Sequence, residues 1–275
     1  MIWVGGRIVP DDALRISVLD RTFEHGLGLF ETLRTWNGHA TLLDRHLARM
    51  ARSAEALRLP LDPAALPDRG AVADLLGAAD VEGDAVLRIT LSGGLSESGG
   101  SVLWMRAAPL PPPIRAGGAR VQWHSWPVFS NEPLAGHKSL NYWQKRLLHE
   151  EARADGFDEV LGVSWARTIQ EGTRTNLFVV QDGVVKTPGL YCDLLPGIMR
   201  GVVLERARHL GLDVSEGALA CSLLDEVDEA FLTNSVRGII PICELRDREL
   251  PAPGPLTRRL WDDILPWLKA GGTPP

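Results

Sequence analysis

The sequence predicts an α/β protein in two domains, and three observations carry that reading. The chain has 275 residues, above the usual size of one domain. Strand and helix signals succeed one another along it. The segment AAPLPPPIRAGG (107–118) interrupts them, because its prolines favour an extended linker and forbid a helix. Residues 1–108 are therefore expected to form an N-terminal domain, 109–118 a linker and 119–275 a C-terminal domain.

Taken in order, Ile2–Val4 and Arg7–Val9 read as short strands about a Gly5-Gly6 turn. Phe30–Trp36 and His39–Leu43 alternate around Asn37-Gly38, a strong hairpin signal. Asp44 suits the N-cap of a following helix with Leu47, Met50, Ala51, Ala54 and Leu57 as its apolar stripe. Arg49 lies beside that stripe. Val86–Ser92 reads as a strand in which Arg88 is the odd charged member. Lys138 stands at the head of an expected helix with Leu140, Trp143 and Leu147 on one face, stopping near Gly156. Asp158–Trp165 is β-rich, and Leu177–Val180, Asp182-Gly183 and Val184-Val185 predict a type I′ hairpin. Helices are expected over about Gly197–Gly211, with Val203, Ala207 and Leu210 on one face, and about Leu256–Ile264. The tail AGGTPP reads as loose.

Composition narrows the function. A net charge of −6 with scattered lysines and arginines argues against a nucleic-acid surface. Three widely spaced cysteines give neither a disulfide framework nor a metal spacing, and seven histidines show none either. No apolar run approaches the length of a membrane span, and the N-terminus lacks signal-peptide architecture, so a cytoplasmic location is expected.

The chemistry-bearing residues come in a pattern. Lys138 opens KSLNY, and Glu171 opens EGTRTNLF, both at element ends where a scaffold can aim them. Leu194-Leu195-Pro196-Gly197 precedes a helix, which offers free backbone N–H groups to an anion. The lysine in K-S-L-N-Y with the later E-G-T-x-T-N-L-F resembles the class IV aminotransferases, the fold-type IV enzymes that use pyridoxal phosphate. The resemblance runs from about residue 1 to 245. It implies two α/β domains with the cofactor in the cleft between them, and commonly a homodimer.

The same resemblance implies the site. Lys138 takes the place of the lysine that forms the Schiff base, and Glu171 faces the pyridine nitrogen, keeping it protonated by charge attraction. Arg49, in His46-Leu47-Ala48-Arg49-Met50, matches the arginine of H-L-x-R-L that grips the phosphate, a dianion suited to a guanidinium fork. In LLPGIMR, Leu195 packs on the ring and the amides at Ile198 and Met199 hold the phosphate. Met199 stands where the family has threonine, so one hydroxyl donor is missing. Ser235, in Thr-Asn-Ser, matches a second phosphate-contacting turn. Tyr142, four residues after the lysine, matches a position that touches the ring oxygen.

The family contains branched-chain and D-amino acid aminotransferases and 4-amino-4-deoxychorismate lyases, all acting on amino-acid-like carboxylates. Thr32 and Asn234 fall where the lyases carry a proton-relaying threonine and an asparagine near the substrate. The favoured reading is therefore elimination of pyruvate to leave 4-aminobenzoate. The alternatives are a transaminase for branched-chain or D-amino acids, and a non-catalytic cofactor-binding protein. DRTFEHGLGLFETLR (20–34) departs from the family's D-R-G-x-x-Y-G-D-G-L-F-E-T-L-R at Thr22, His25 and Leu27. Ser92-Gly93-Gly94 stands where the lyases and D-amino acid enzymes have a substrate-holding arginine. Arg88 is the first candidate to replace it and Arg174 the second.

Overall fold

Short alternating runs punctuated by glycine become strands throughout the computed structural model, which describes residues 1–124 and 132–272. The chain divides into two units. One comprises Met1–Pro111, His137–Asn141 and Trp267–Pro275, the other Pro112–Gly136 and Tyr142–Pro266. The main division falls at Pro111/Pro112, inside the proline-rich segment. The lysine segment and the chain from Trp267 on return to the first unit, so Lys138 does not belong with the C-terminal residues as expected.

The first unit is built on a six-stranded sheet of β1 (Ile2–Val4), β2 (Arg7–Val9), β3 (Gly28–Trp36), β4 (His39–Ala40), β5 (Ala85–Ser92) and β6 (Leu103–Pro109), in the order β2-β1-β6-β5-β3-β4. Its pairs are antiparallel. Asn37 and Gly38 both take positive φ, as the β3–β4 turn requires. Three helices accompany the sheet: α1 (Arg21–His25), α2 (Leu43–Ala56) and α3 (Arg69–Ala78). Leu29, Leu33, Leu87, Ile89, Leu91 and Met105 from one sheet face pack with Leu43, Met50, Val72 and Leu75 from α2 and α3. Two features of α2 differ from the sequence expectation. The N-cap of α2 is Leu42, in a left-handed conformation, while Asp44 is exposed and paired with Arg69. The buried face of α2 carries Leu43, His46, Arg49, Met50, Ser53 and Ala54, because a carboxylate on the sheet draws His46 and Arg49 inward.

The second unit holds a ten-stranded sheet: β7 (Ala119–His124), β8 (Glu159–Val163), β9 (Thr168–Gly172), β10 (Asn176–Gln181), β11 (Val184–Pro188), β12 (Val214–Gly217), β13 (Leu219–Ala220), β14 (Glu229–Asn234), β15 (Gly238–Leu245) and β16 (Arg248–Glu249). The order is β12-β11-β10-β14-β15-β7-β8-β9-β13, with β16 on β15. The pairs β11–β12, β15–β7 and β7–β8 are parallel. Asp182 and Gly183 have positive φ, giving the expected β10–β11 hairpin. Its core gathers Leu161, Ile169, Leu177, Val179, Leu232 and Ile242, and the Phe178 and Phe231 rings stack 5.0 Å apart. Helices α4 (Trp143–Ala154), α5 (Ile198–His209) and, up to Pro266, α6 (Pro255–Lys269) complete the set. Glu229 caps α6 by accepting from Leu256 N and Thr257 N at 2.9 and 2.8 Å.

Helix α4 begins five residues after Lys138 and buries Leu148, His149 and Ala152. The expected Leu140, Trp143, Leu147 face is not its core face, and Trp143 and Leu147 are exposed. Gly156 does take the left-handed conformation that stops it. Of the tail expected to be loose, residues 273–275 lie outside the described residues.

Candidate active site

In the first unit the site is assembled by strand parity. Leu29, Glu31 and Leu33 face the core, and Phe30 and Thr32 face the other way. Glu31 is thereby buried, and α2 supplies its partners at i and i+3. Arg49 donates Nε to Oε1 at 2.8 Å and Nη2 to Oε2 at 2.6 Å, and His46 Nδ1 lies 2.7 Å from Oε2. Burial would raise the Glu31 pKa, but the Arg49 and His46 interactions hold it down to about 2. His46 is pushed down by burial and by the positive charges of Arg49 and Lys138, against the pull of Glu31. Its Nε2 is buried with no hydrogen-bond partner among the described residues.

Lys138 is held by backbone bonds to β3. Phe30 N donates to Lys138 O at 2.9 Å, Leu140 N donates to Gly28 O at 3.0 Å, and Ser139 bridges Leu29 antiparallel. That edge is available because β4 pairs only with Thr35 and Trp36. Gly28 permits the approach: its φ is +144°, and a Cβ there would stand 2.5 Å from Leu140 Cδ1 and 2.7 Å from Leu91 O. Lys138 Nζ then lies 4.5 Å from the Phe30 ring centroid, and the Arg88 guanidinium carbon 3.9 Å from it. Arg88 pairs with Thr32 across β3 and β5, so lysine, arginine and threonine are brought to one face. The lysine is extended here rather than helical, which removes the one-turn argument for Tyr142.

Position 93, where the resemblance leads one to expect an arginine, is closely packed. Thr22 accepts from Gly93 N and donates to Leu27 O, both at 2.7 Å. A Cβ at 93 would come within 3.0 Å of Leu27 Cβ and Thr22 N. Thr22 and Gly93 are departures that fit each other.

In the second unit Glu171 closes β9. Its Oε2 accepts from Leu195 N and Asn176 Nδ2, both at 3.1 Å, and its Oε1 from Lys145 Nζ at 2.6 Å. Asn176 Nδ2 also donates to Leu195 O at 3.0 Å, tying the carboxylate to the segment that leads into α5. Gly197, the N-cap of α5, makes no side-chain cap, and a Cβ there would run into Asn176 Oδ1. The first amides of α5 are thus left for an anion. Met199 is buried, so its side chain serves the core. Leu195 and Ile198 are half-buried.

Behind Glu171, the turn 172–175 is held by the buried carboxylate of Glu159. It accepts from Thr173 N (3.1 Å), Thr173 Oγ1 (2.5 Å), Arg174 N (3.2 Å) and Thr175 Oγ1 (3.1 Å). Burial would raise its pKa, but hydrogen bonds from His149, the Thr173 hydroxyl and the Val160 amide, with the charge of Arg174, hold it below the usual range. Tyr142 donates its hydroxyl to Thr173 O. The Arg174 guanidinium lies against the His149 imidazole. Asn234 uses Oδ1 to accept from Val236 N and Arg237 N, at 3.0 and 2.8 Å, forming the turn that contains Ser235.

A family profile for amino-transferase class IV matches residues 28–245. The chain belongs to that family. Among curated relatives, a putative branched-chain-amino-acid aminotransferase of Methanocaldococcus jannaschii is 30% identical, over 94% of this chain and 93% of its own. The aminodeoxychorismate lyase of Bacillus subtilis is 27% identical, over 90% and 87%. Among solved structures, the branched-chain aminotransferase of Thermoproteus uzoniensis superposes with a TM-score of 0.88 at 27% identity, covering 98% of this chain and 95% of that one. The expected α/β fold-type IV architecture is thereby established, and the chain is an enzyme of this family.

Glu31, His46, Lys145, Glu159 and Asn176 were missed as site residues by sequence reasoning. Glu31 carried a signal: a charge at an inward-facing strand position, followed by a helix with histidine and arginine three residues apart. Lys145 carried none, since a lysine on an amphipathic helix reads as solvated.

Proposed function

We propose that this enzyme binds pyridoxal 5′-phosphate through Lys138 and acts on an amino-acid-like carboxylate, eliminating pyruvate from 4-amino-4-deoxychorismate to leave 4-aminobenzoate. The observation that carries it is the grouping of Lys138, Arg88 and Thr32 on one face of the first unit's sheet, about the Phe30 ring. The residues present fit the cofactor. Glu171 is a buried, oriented carboxylate suited to a protonated ring nitrogen, and the α5 N-terminus is uncapped beside it. When bound, pyridoxal phosphate supplies an electron sink.

The chain's own residues do the rest. Lys138 Nζ takes the proton from the substrate carbon that bears the amine, and the Thr32 hydroxyl relays it. Arg88 holds the substrate carboxylate, with Arg174, drawn to His149, the second candidate. Arg49, oriented by Glu31, binds the phosphate together with the Ile198 and Met199 amides and Ser235. Leu195 packs on the ring, Tyr142 hydrogen-bonds its oxygen, and Asn234 lies by the substrate. The enzyme is further proposed to be a cytoplasmic homodimer.

Branched-chain or D-amino acid transamination is the second reading. It is favoured by the relative at 30% identity and by the engagement of Asn234 Oδ1 in its own turn. Purified, cofactor-loaded protein is mixed with 4-amino-4-deoxychorismate, and separately with D- and L-amino acids plus 2-oxoglutarate or pyruvate. Fluorescent 4-aminobenzoate formed without a keto acid is the expected result. Keto-acid-dependent amino transfer with no aminobenzoate would replace the lyase with the transaminase.

A further inference from the structure

Glu171 has a positive neighbour that no role assigned above requires. Its Oε2 is occupied by the Leu195 amide and the Asn176 side chain, and its Oε1 receives Lys145 Nζ at 2.6 Å. A carboxylate offers about four acceptor positions, so Oε1 retains room for a second donor beside the ammonium. The carboxylate is buried at 9% side-chain exposure, while the lysine reaches it from a side chain that is 39% exposed. Lys145 stands on α4 three residues after Tyr142, whose hydroxyl donates to Thr173 O just beyond Glu171. One helix end therefore holds the carboxylate and the turn that follows it.

We propose that Lys145 is a positioning residue acting through Glu171, fixing the carboxylate's orientation and offsetting part of its charge. A ring nitrogen held by Glu171 then keeps its proton less firmly than it would beside a lone buried carboxylate. The inference rests on the roles proposed for Lys138 and Glu171. Its physical basis is that a positive charge in contact with an anion weakens the anion's pull on any other cation sharing it. An ion pair of purely structural value would leave the cofactor's protonation unmoved.

The test compares cofactor-loaded wild type, Lys145→Met and Lys145→Arg, following the absorbance of the bound cofactor across pH. Removing the positive charge makes protons easier to retain, so the midpoint of the Lys145→Met titration is expected to move upward. The expected size is about 0.5 to 1 unit, a three- to tenfold change in proton affinity. Lys145→Arg is expected to restore the wild-type midpoint. Lys145→Gln gives the same reading if the methionine variant does not fold. An unmoved midpoint in Met and Gln variants that still bind cofactor would overturn the inference and leave the functional reading standing. So would an arginine variant that behaves like methionine. A wild type that binds no cofactor, or whose absorbance band persists in Lys138→Ala, would overturn the functional reading and this inference with it.

Discussion

Glu31 stands between the core residues Leu29 and Leu33, and it stays ionised because Arg49 and His46 reach it from α2. Its pKa near 2, against an ordinary 4.5, ties stability to acid. The stabilisation is fully present above about pH 4.5 and is lost as pH falls from there toward about 2, some 3 kcal/mol in order of magnitude. In acid titrations followed by thermal melting, Glu31→Gln is expected to be destabilised at pH 7 by about 3–5 kcal/mol, since it strands a buried guanidinium. Its stability is also expected to depend less on pH over that window. Parallel acid profiles for variant and wild type would refute the assignment. At this scale the sequence was partly legible. Lys138, Glu171 and Arg49 stood out by motif, but Arg49 looked lateral to its helix because an apolar stripe cannot show a carboxylate arriving from a strand. Lys145 and Glu159 were illegible, because their partners are set by tertiary placement.

Elements bounded by turn chemistry were read well. Asn37-Gly38 and Asp182-Gly183 need positive φ at both central residues, and local sequence suffices to say so. Ile2–Val4 and Arg7–Val9 fall where expected about Gly5-Gly6. The start of α4 was misread for a physical reason. The backbone of 138–140 is claimed by the open edge of β3, a long-range pairing that overrides local helical spacing. Gly28 is the hinge of that arrangement. Gly28→Ala is expected to cost about 2 kcal/mol or more by melting, since it combines overlap with an unfavourable φ, and to abolish the absorbance band dependent on Lys138. Gly77→Ala in α3, where nothing lies within 4 Å of the added methyl, is expected to be neutral or stabilising. Equal behaviour of the two variants would remove the special role of Gly28.

The whole molecule divides inside the proline-rich segment that composition singled out, yet no composition signal shows residues 137–141 returning to the first unit. Quaternary state was reachable only through the resemblance. The first unit exposes Val18, Leu19, Phe23 and Leu95, at 80, 66, 64 and 55%. These residues are the expected contact of the proposed homodimer. Sedimentation should give about twice the 30.0 kDa chain mass, and Leu19→Glu with Phe23→Glu should give the monomer. A wild type that sediments as a monomer at micromolar concentration would end that proposal. No helix among the described residues is long and apolar enough to cross a membrane.

The return of the lysine segment has a consequence for biosynthesis. Residues 1–111 emerge before the lysine segment, so the edge of β3 away from β5 gains the backbone bonds of Phe30 N and Gly28 O only when Lys138 and Leu140 have emerged. Thr41 waits longer still, because its hydroxyl donates to Leu268 O at 2.9 Å. At about 5–20 residues per second, the first half of the nascent chain spends seconds with an open strand edge. The first unit is complete only once Trp267 and the residues after it have emerged.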